Sequence, residues 1–475
     1  MHVETTDVVA VAVALSTIYL LKRLRQRLPP GPGSSGGLFG IPKQLPAGEP
    51  WKAFLAWSKK FGPVISFYLG WTPVVVINTA RDASELLDRR GEIYSSRPRS
   101  VIGQQILTGN MRGLTMEYGD RWKRWRKLQH TGMGGKSAQA YRHFQSLEDE
   151  DVVIENSNAM KAFNTTQIPG KYLADSWPIL LWLPKSLQWF RWDLDKRREL
   201  DIKLYVGCLR NVERKMVEGT AKECMSTRIL NLAAAGGTEG ASEVEMAYAV
   251  CSPFSAGIGT VAASLEVFLL AMVHNPACAS KAQAELDSVV GRARMPDFSD
   301  EPILPYVHAL VKEVMRWRPI APTGIPHAVT QDDYYNGLFI PKDATVFANI
   351  CAICQDPDLF PDAEAFRPDR FLDTQDSRLI DFNIPFGFGR RICPGQDVAV
   401  QSLFIIIARM LWAFDISVGT DEGGSPVLPD TSAFVPGLVR KPLPFRVNVA
   451  PRTEDVAKLI AIAASDAEIE LEAWN

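Results

Sequence analysis

Phe386-Gly387-Phe388-Gly389-Arg390-Arg391-Ile392-Cys393-Pro394-Gly395 places one cysteine in a glycine-rich loop, with two arginines just before it and a helical pattern after it. Glycine lets the backbone approach a sulfur atom closely, and backbone N–H groups and nearby positive charge favour the thiolate. The chemistry this predicts is a sulfur ligand for haem iron. A single axial thiolate pushes electron density onto the metal and favours O–O cleavage. The competing reading of Cys393 is a buried structural cysteine.

Glu313 and Arg316 stand three apart on a predicted helix, so their side chains share a face. Exposed pairs of this kind contribute only about 0.2–0.5 kcal/mol, and E-x-x-R alone carries no function. Trp122 and Arg126, four apart in Trp122-Lys123-Arg124-Trp125-Arg126, share a helix face in the same way. Without context they read as a cation–π pair on a surface helix. In Ser255-Ala256-Gly257-Ile258-Gly259-Thr260-Val261 a threonine hydroxyl follows two glycines inside a helical pattern. Each helix-internal glycine costs about 1 kcal/mol relative to alanine, which predicts a packing or ligand-approach reason for both. Cys351-Ala352-Ile353-Cys354 has the spacing of a redox or metal site, but with no second pair and no βαβ context it reads as packing on a short buried helix.

The elements that must position these residues are mostly helical. A long apolar, small-residue stretch from Glu243 to His274 is ended with the help of Pro276, and a second helix from Pro305 to Arg318 is stopped by Pro319. Val64 to Leu69 and Val74 to Asn78, separated by Gly70-Trp71-Thr72-Pro73, read as strand, turn and strand. Asn336-Gly337 between Tyr334-Tyr335 and Leu338-Phe339-Ile340 is a hairpin signal.

The cysteine loop matches F-x-x-G-x-R-x-C-x-G at Phe386, Gly389, Arg391, Cys393 and Gly395, and resembles the haem-binding signature of the cytochrome P450 superfamily. Glu313 and Arg316, taken with Phe366-Arg367-Pro368-Asp369-Arg370-Phe371, resemble the superfamily's Glu/Arg/Arg network, in which Arg370 joins the pair and the network holds the loop leading to the cysteine. W-x-x-x-R at Trp122 and Arg126 is similar to its haem-propionate contact, and Arg391 and His327 match two further propionate-facing positions. His327, a lone histidine on a strand, also has a purely structural reading.

The likeness is strongest to fungal membrane-bound members of secondary metabolism, such as O-methylsterigmatocystin oxidoreductase-like proteins. It implies a mainly α fold with small β-sheets, the cytochrome P450 fold, with a shortened helix bundle. It implies haem b held by Trp122, Arg126, His327, Phe386, Arg391, Cys393 and Gly395, with Cys393 on the iron and Glu313, Arg316 and Arg370 as a structural network. The implied activity is monooxygenation: one atom of O2 enters an apolar organic substrate, with electrons from NADPH through a flavoprotein reductase. Arg121, Lys123, Arg124, Arg126, Lys127, Lys136 and Arg390 would steer that acidic partner, although a charge run also reads as a solvated face.

Two departures stand out. The segment at 255–261 resembles the superfamily's oxygen-activating element A-G-x-D/E-T-T/S, with Thr260 as its threonine, but the acid position is Gly259 and the second hydroxyl position is Val261. General acid catalysis is worth typically 10²- to 10⁴-fold, so proton delivery must use water or another group. This leaves open a haem-binding relative with little monooxygenase activity, and a haem-thiolate isomerase or peroxygenase that needs no acid. The second departure is length: Arg126 to Thr260 spans 134 positions, and the resemblance implies that several tens of residues are absent near Asp149 to Asn158, where two core helices belong.

Composition fits an ordinary globular protein, with 46% hydrophobic and 22% charged residues, and a net charge of −2 gives no pointer to nucleic acid. Seven irregularly spaced cysteines suit a reducing compartment. Val8 to Leu21 is apolar apart from Ser16 and Thr17 and is followed by Lys22, Arg23, Arg25 and Arg27. Positive charge after the apolar run argues against a cleaved signal and for a single-pass anchor with the rest of the chain cytosolic, as at the endoplasmic reticulum membrane. The Asn164-Thr165-Thr166 sequon would then go unused. The expected organisation is an anchor with basic flank at 1–28, a Pro/Gly-rich hinge at 29–37, a catalytic domain at 38–452 and a C-terminal tail at 453–475.

Overall fold

The computed structural model describes residues 28–32, 49–69, 72–133, 150–167 and 171–472. The expected anchor at 8–21, most of the hinge and Lys136 lie outside these residues. The longer helices are α1 (Pro50–Phe61), α2 (Asp120–Met133), α3 (Glu150–Thr166), α4 (Trp192–Val217), α5 (Met225–Ala234), α6 (Glu243–His274), α7 (Pro276–Val289), α8 (Pro305–Trp317), α9 (Gln396–Ala413) and α10 (Glu454–Glu472). The strands are short: β1 (Val64–Leu69), β2 (Thr72–Ile77), β3 (His327–Ala328), β4 (Asp333–Tyr335), β5 (Leu338–Ile340), β6 (Thr345–Ala348), β7 (Phe414–Val418), β8 (Phe434–Val435), β9 (Lys441–Pro442) and β10 (Val447–Pro451). The fold is mainly α with small sheets, as the resemblance implies.

Local chemistry sets the boundaries. Ser242 caps α6: its hydroxyl accepts from the Glu245 N–H at 3.2 Å, while the Glu245 carboxylate accepts from the Ser242 N–H at 3.1 Å. Pro276 and Pro305 open α7 and α8 at a position whose N–H is unpaired in any helix. Glu285 on α7 accepts from the first N–H groups of α8, at Tyr306 and Val307, both at 2.9 Å, and so fixes the corner between the two helices. Pro253 lies inside α6 and removes one rung of its ladder.

The main sheet has the order β1-β2-β6-β3, with β2 and β6 parallel and the other pairs antiparallel. The hairpin of β4 and β5 turns through Asn336 and Gly337, both at positive φ. A continuous core joins the sheet, α6, α7, α8 and α9, with Phe268, Phe360, Phe404 and Trp412 fully buried. Among the described residues α6 and α9 are long and apolar enough to cross a membrane, and both contribute to this core. The expected C-terminal tail is the helix α10, attached through buried Val456. The Asn164 sequon lies in the last turn of α3, with Thr166 buried.

Candidate active site

Cys393 sits between a short 3-10 turn at Gly389–Arg391 and the start of α9. Its N–H donates to the Phe386 carbonyl at 2.9 Å, which closes the loop over the residues the signature names. Gly389 has φ +55°, and a Cβ there would collide with the Leu87 carbonyl oxygen, so the loop approaches its neighbour only as glycine. The Asp88 carboxylate accepts from the Gly389 N–H at 2.6 Å, tying the loop to a segment far away in the chain.

Burial pushes the Cys393 thiol above its ordinary value, against the lowering effects of the Gly395 N–H and the Arg126 charge. The expectation that backbone N–H groups and positive charge favour the thiolate holds for the Gly395 N–H and Arg126, which both lower the value. Burial outweighs these two effects at the thiol.

Around this loop the structure gathers cations. Arg391 is buried; its Nε donates to the Ser95 carbonyl at 2.6 Å and its Nη2 to the Met116 carbonyl at 2.8 Å. Its guanidinium carbon lies 4.1 Å from the centre of the Trp122 ring. Trp122 is itself buried, so the pairing of Trp122 with Arg126 on a surface helix is replaced by a buried Trp122–Arg391 stack. Arg126 donates to the Ile392 carbonyl at 2.8 Å, inside the cysteine loop, and to His130 at 3.0 Å. Arg97, which the sequence reading missed, is buried beside them and donates to the carbonyls of Leu114, Ile325 and Pro326 at 3.0, 2.8 and 2.8 Å. Its only sequence signal is a basic residue ahead of Pro98, which favours extended backbone.

Burial lowers Arg97 to about 9. Burial, then repulsion from Arg97 and Arg126, lowers Arg391 to about 8. His327 on β3 is buried, joined through Nδ1 to the Tyr94 carbonyl at 2.7 Å, and burial with the charges of Arg97 and Arg391 keeps it neutral. Among the described residues no carboxylate acts on Arg97, Arg126 or Arg391, so the cluster has the complement of a ligand carrying carboxylates. A haem fits this donor set: Arg97, Arg126 and Arg391 would take its carboxylates and Cys393 would be the ligand to its iron.

Glu313, Arg316 and Arg370 meet. Glu313 and Arg316 are fully buried, and Arg316 grips both carboxylate oxygens at 2.6 and 2.9 Å, with Arg370 at 3.2 Å. The Glu313 carboxylate also accepts the Arg367 N–H at 2.7 Å, and Arg316 reaches the Cys354 carbonyl at 3.0 Å. The network thus clamps the chain between Cys354 and Arg370, well ahead of the cysteine loop. Cys351 and Cys354 are buried, and burial raises both thiols.

On α6, a Cβ at Gly257 or Gly259 meets nothing within 4 Å, and Ala256 and Gly259 are exposed along one strip. The Thr260 hydroxyl donates to the Ala256 carbonyl at 2.8 Å. One turn before Gly259, Ser255 donates to Asn156 of α3 at 2.6 Å and shares a 3.0 Å hydrogen bond with Tyr205 of α4, to which Arg112 donates at 3.1 Å. No local pattern announces this network, which joins four distant segments. The basic run is less free than its sequence implies: Arg121 pairs with Glu245, Lys123 with Asp120 and Lys127 with Glu239, and Arg390 donates to the Tyr118 hydroxyl.

The family model for cytochrome P450 matches residues 29–155 and 142–449, in two pieces that overlap where the sequence reading places the shortfall. Cytochrome P450 monooxygenase 58 of Postia placenta is 37% identical over 513 aligned positions, covering 96% of this chain and 95% of that protein. Cytochrome P450 monooxygenases of Armillaria gallica and Ampulloclitocybe clavipes are each 32% identical, over 499 and 517 positions, covering 95% and 98% of this chain and 95% and 94% of theirs. These alignments are longer than the 475 residues of the chain, so the relatives carry residues that it lacks. By family model, full-length similarity and fold, this chain belongs to the cytochrome P450 family of haem-dependent monooxygenases.

Proposed function

We propose that the protein is a membrane-tethered haem-thiolate monooxygenase that oxygenates an apolar small molecule of fungal secondary metabolism, using electrons that an NADPH-dependent flavoprotein reductase delivers. The observation that carries the reading is the cluster of Arg97, Arg126 and Arg391 around the Cys393 loop, guanidiniums that reach only backbone carbonyls and a histidine, with no carboxylate partner among the described residues. When bound, haem supplies the redox-active iron that activates O2. Cys393 is its protein ligand, Arg97, Arg126 and Arg391 bind and orient the carboxylates, and Trp122 and His327 pack around them. Phe386 and Gly395 shape the loop, and Glu313, Arg316 and Arg370 hold the chain ahead of it.

The open strip at Ala256, Gly257 and Gly259 gives oxygen room beside α6. Because the Thr260 proton is donated to a helix carbonyl, the hydroxyl oxygen is left to accept a hydrogen bond from the oxygen side. With glycine at position 259, water supplies the proton that a carboxylate would otherwise relay.

The membrane reading rests on the apolar run at 8–21 and on an exposed stretch leading into α4, where Ile179, Trp182, Leu187, Trp189 and Trp192 face solvent beside Lys185. Tryptophan with flanking lysine is the composition of a membrane–water interface. The charge order around that run supports a single-pass orientation with the catalytic domain at 38–452 in the cytosol, the topology of an anchor in the endoplasmic reticulum membrane.

The reduced, carbon monoxide-bound absorbance spectrum tests the reading. The parent protein should show the Soret band of thiolate ligation, and Cys393→Ala should lose it. Unchanged ligation in that variant defeats the proposal. Gly259 also favours a second reading, a peroxygenase, which turnover with peroxide and no reductase would reveal.

A further inference from the structure

Helices α4 and α6 run antiparallel, and their cross-links read as a ladder. Arg210 pairs with Glu243 at 2.6 Å, and Tyr205 meets Ser255 at 3.0 Å. Between these rungs lie Cys208 and Cys251, hydrogen-bonded thiol to thiol, with the Cys251 thiol also 3.9 Å from the Tyr205 carbonyl. Two sulfurs in contact on two packed helices, one turn before the Ser255–Gly259 strip, are used by nothing in the oxygenation chemistry.

We propose that Cys208 and Cys251 are a peroxide-sensitive pair that closes into a reversible disulfide and staples α4 to α6 beside the oxygen site. Cys208 is partly exposed and Cys251 is buried, so peroxide meets Cys208 first. The hydrogen bond to Cys208 and burial raise the Cys251 thiol, which keeps it protonated until its partner has reacted.

The chemistry balances with hydrogen peroxide as the oxidant. The Cys208 sulfur attacks one peroxide oxygen, the O–O bond breaks, and a sulfenic acid and one water form. The Cys251 sulfur then attacks the Cys208 sulfur; the S–S bond forms, the S–O bond breaks and a second water leaves. Two thiols lose two electrons, peroxide gains them, and no net proton is released. A monooxygenase with glycine at position 259 would itself release peroxide, a source that rests on the proposed function; the sulfur pair does not.

The test uses the haem-loaded full chain in detergent, exposed to added hydrogen peroxide, alkylated, digested without reductant and mapped by mass spectrometry. The expected product joins the Cys208 and Cys251 peptides, disappears with dithiothreitol and is absent from Cys208→Ser and Cys251→Ser. Amide exchange across α4 should slow several-fold in the oxidised protein and recover on reduction. Recovery of Cys208 as a sulfinic acid with Cys251 free, or of both thiols unreacted, overturns the proposal. Because peroxide is added, neither outcome depends on monooxygenase turnover.

Discussion

Arg391 stands over the Trp122 ring at 4.1 Å while its nitrogens reach carbonyls of two other segments, at Ser95 and Met116. One side chain thus joins the cysteine loop, α2 and the chain that precedes α2. Stacking plus a planar fork of donors is a geometry lysine does not reproduce.

Arg391→Lys should therefore keep the charge yet lose haem roughly tenfold faster, about 1.4 kcal/mol, the scale of one charged hydrogen bond. Arg126→Gln, which removes a cation next to Cys393 and a donor to Ile392, should act in the same direction. The rate of haem transfer to a scavenging protein measures both; parent-like rates would remove these residues from the haem site.

Glu313 neutralises Arg316 and draws in Arg370 at full burial. Glu313→Ala leaves buried guanidinium charge uncompensated and should cost about 3–5 kcal/mol, whereas breaking the exposed Arg214–Glu218 pair should cost about 0.5 kcal/mol or less. Denaturant midpoints of the two variants provide the comparison, and similar losses would contradict the buried-network account.

Gly259→Asp places a carboxylate where a Cβ meets nothing within 4 Å. Replacing a helix-internal glycine offsets part of the cost of the charge, so stability should change by about 1 kcal/mol or less. Product formed per NADPH should rise and peroxide release should fall. If Gly259→Asp leaves that ratio unchanged, proton supply at this position does not limit the reaction.

His327 is held below its ordinary value of 6.5 by burial and by Arg97 and Arg391. Above pH 6.5 folded and unfolded chains both carry it neutral, and it adds no pH dependence. Below that value the unfolded chain takes up a proton that the folded chain refuses, so stability falls by about 1.4 kcal/mol per pH unit until the depressed value is reached. His327→Asn, which can still donate to Tyr94, should lose this contribution. Chemical denaturation of the haem-free chain at pH 7.5 and 5.5 should show a smaller drop for the variant; equal drops would mean that His327 does not titrate this way.

Trp182 and Trp189 are 84% and 56% exposed. If they sit in a bilayer interface, the double variant Trp182→Ser, Trp189→Ser should weaken vesicle binding of a chain lacking residues 1–27 by at least tenfold while its carbon monoxide spectrum stays the same. Equal sedimentation with vesicles would assign the patch another role.

Much of this protein was legible before its structure. The cysteine loop, the helix from Glu243 to His274, the Asn336-Gly337 hairpin and the Glu313–Arg316 pair are written in contiguous residues, because capping, positive φ and helical spacing act over a few positions. The absence of an acid at Gly259 is likewise a property of one position. What the chain order hides is convergence. Arg97, Arg126 and Arg391 come from three separated segments, and packing sets them as one cationic cluster beside neutral His327, with Arg97, which no motif named, among them. The Arg112, Tyr205, Ser255 and Asn156 network and the Cys208–Cys251 contact arise in the same way. Burial, which no single position reveals, also pushes the Cys393 thiol up against the lowering effects of Gly395 and Arg126. Local sequence determined which groups the chain carries and the turn or helix that presents each, while desolvation and long-range contact, which exist only in the folded state, decided which of them face one another and in what charge state.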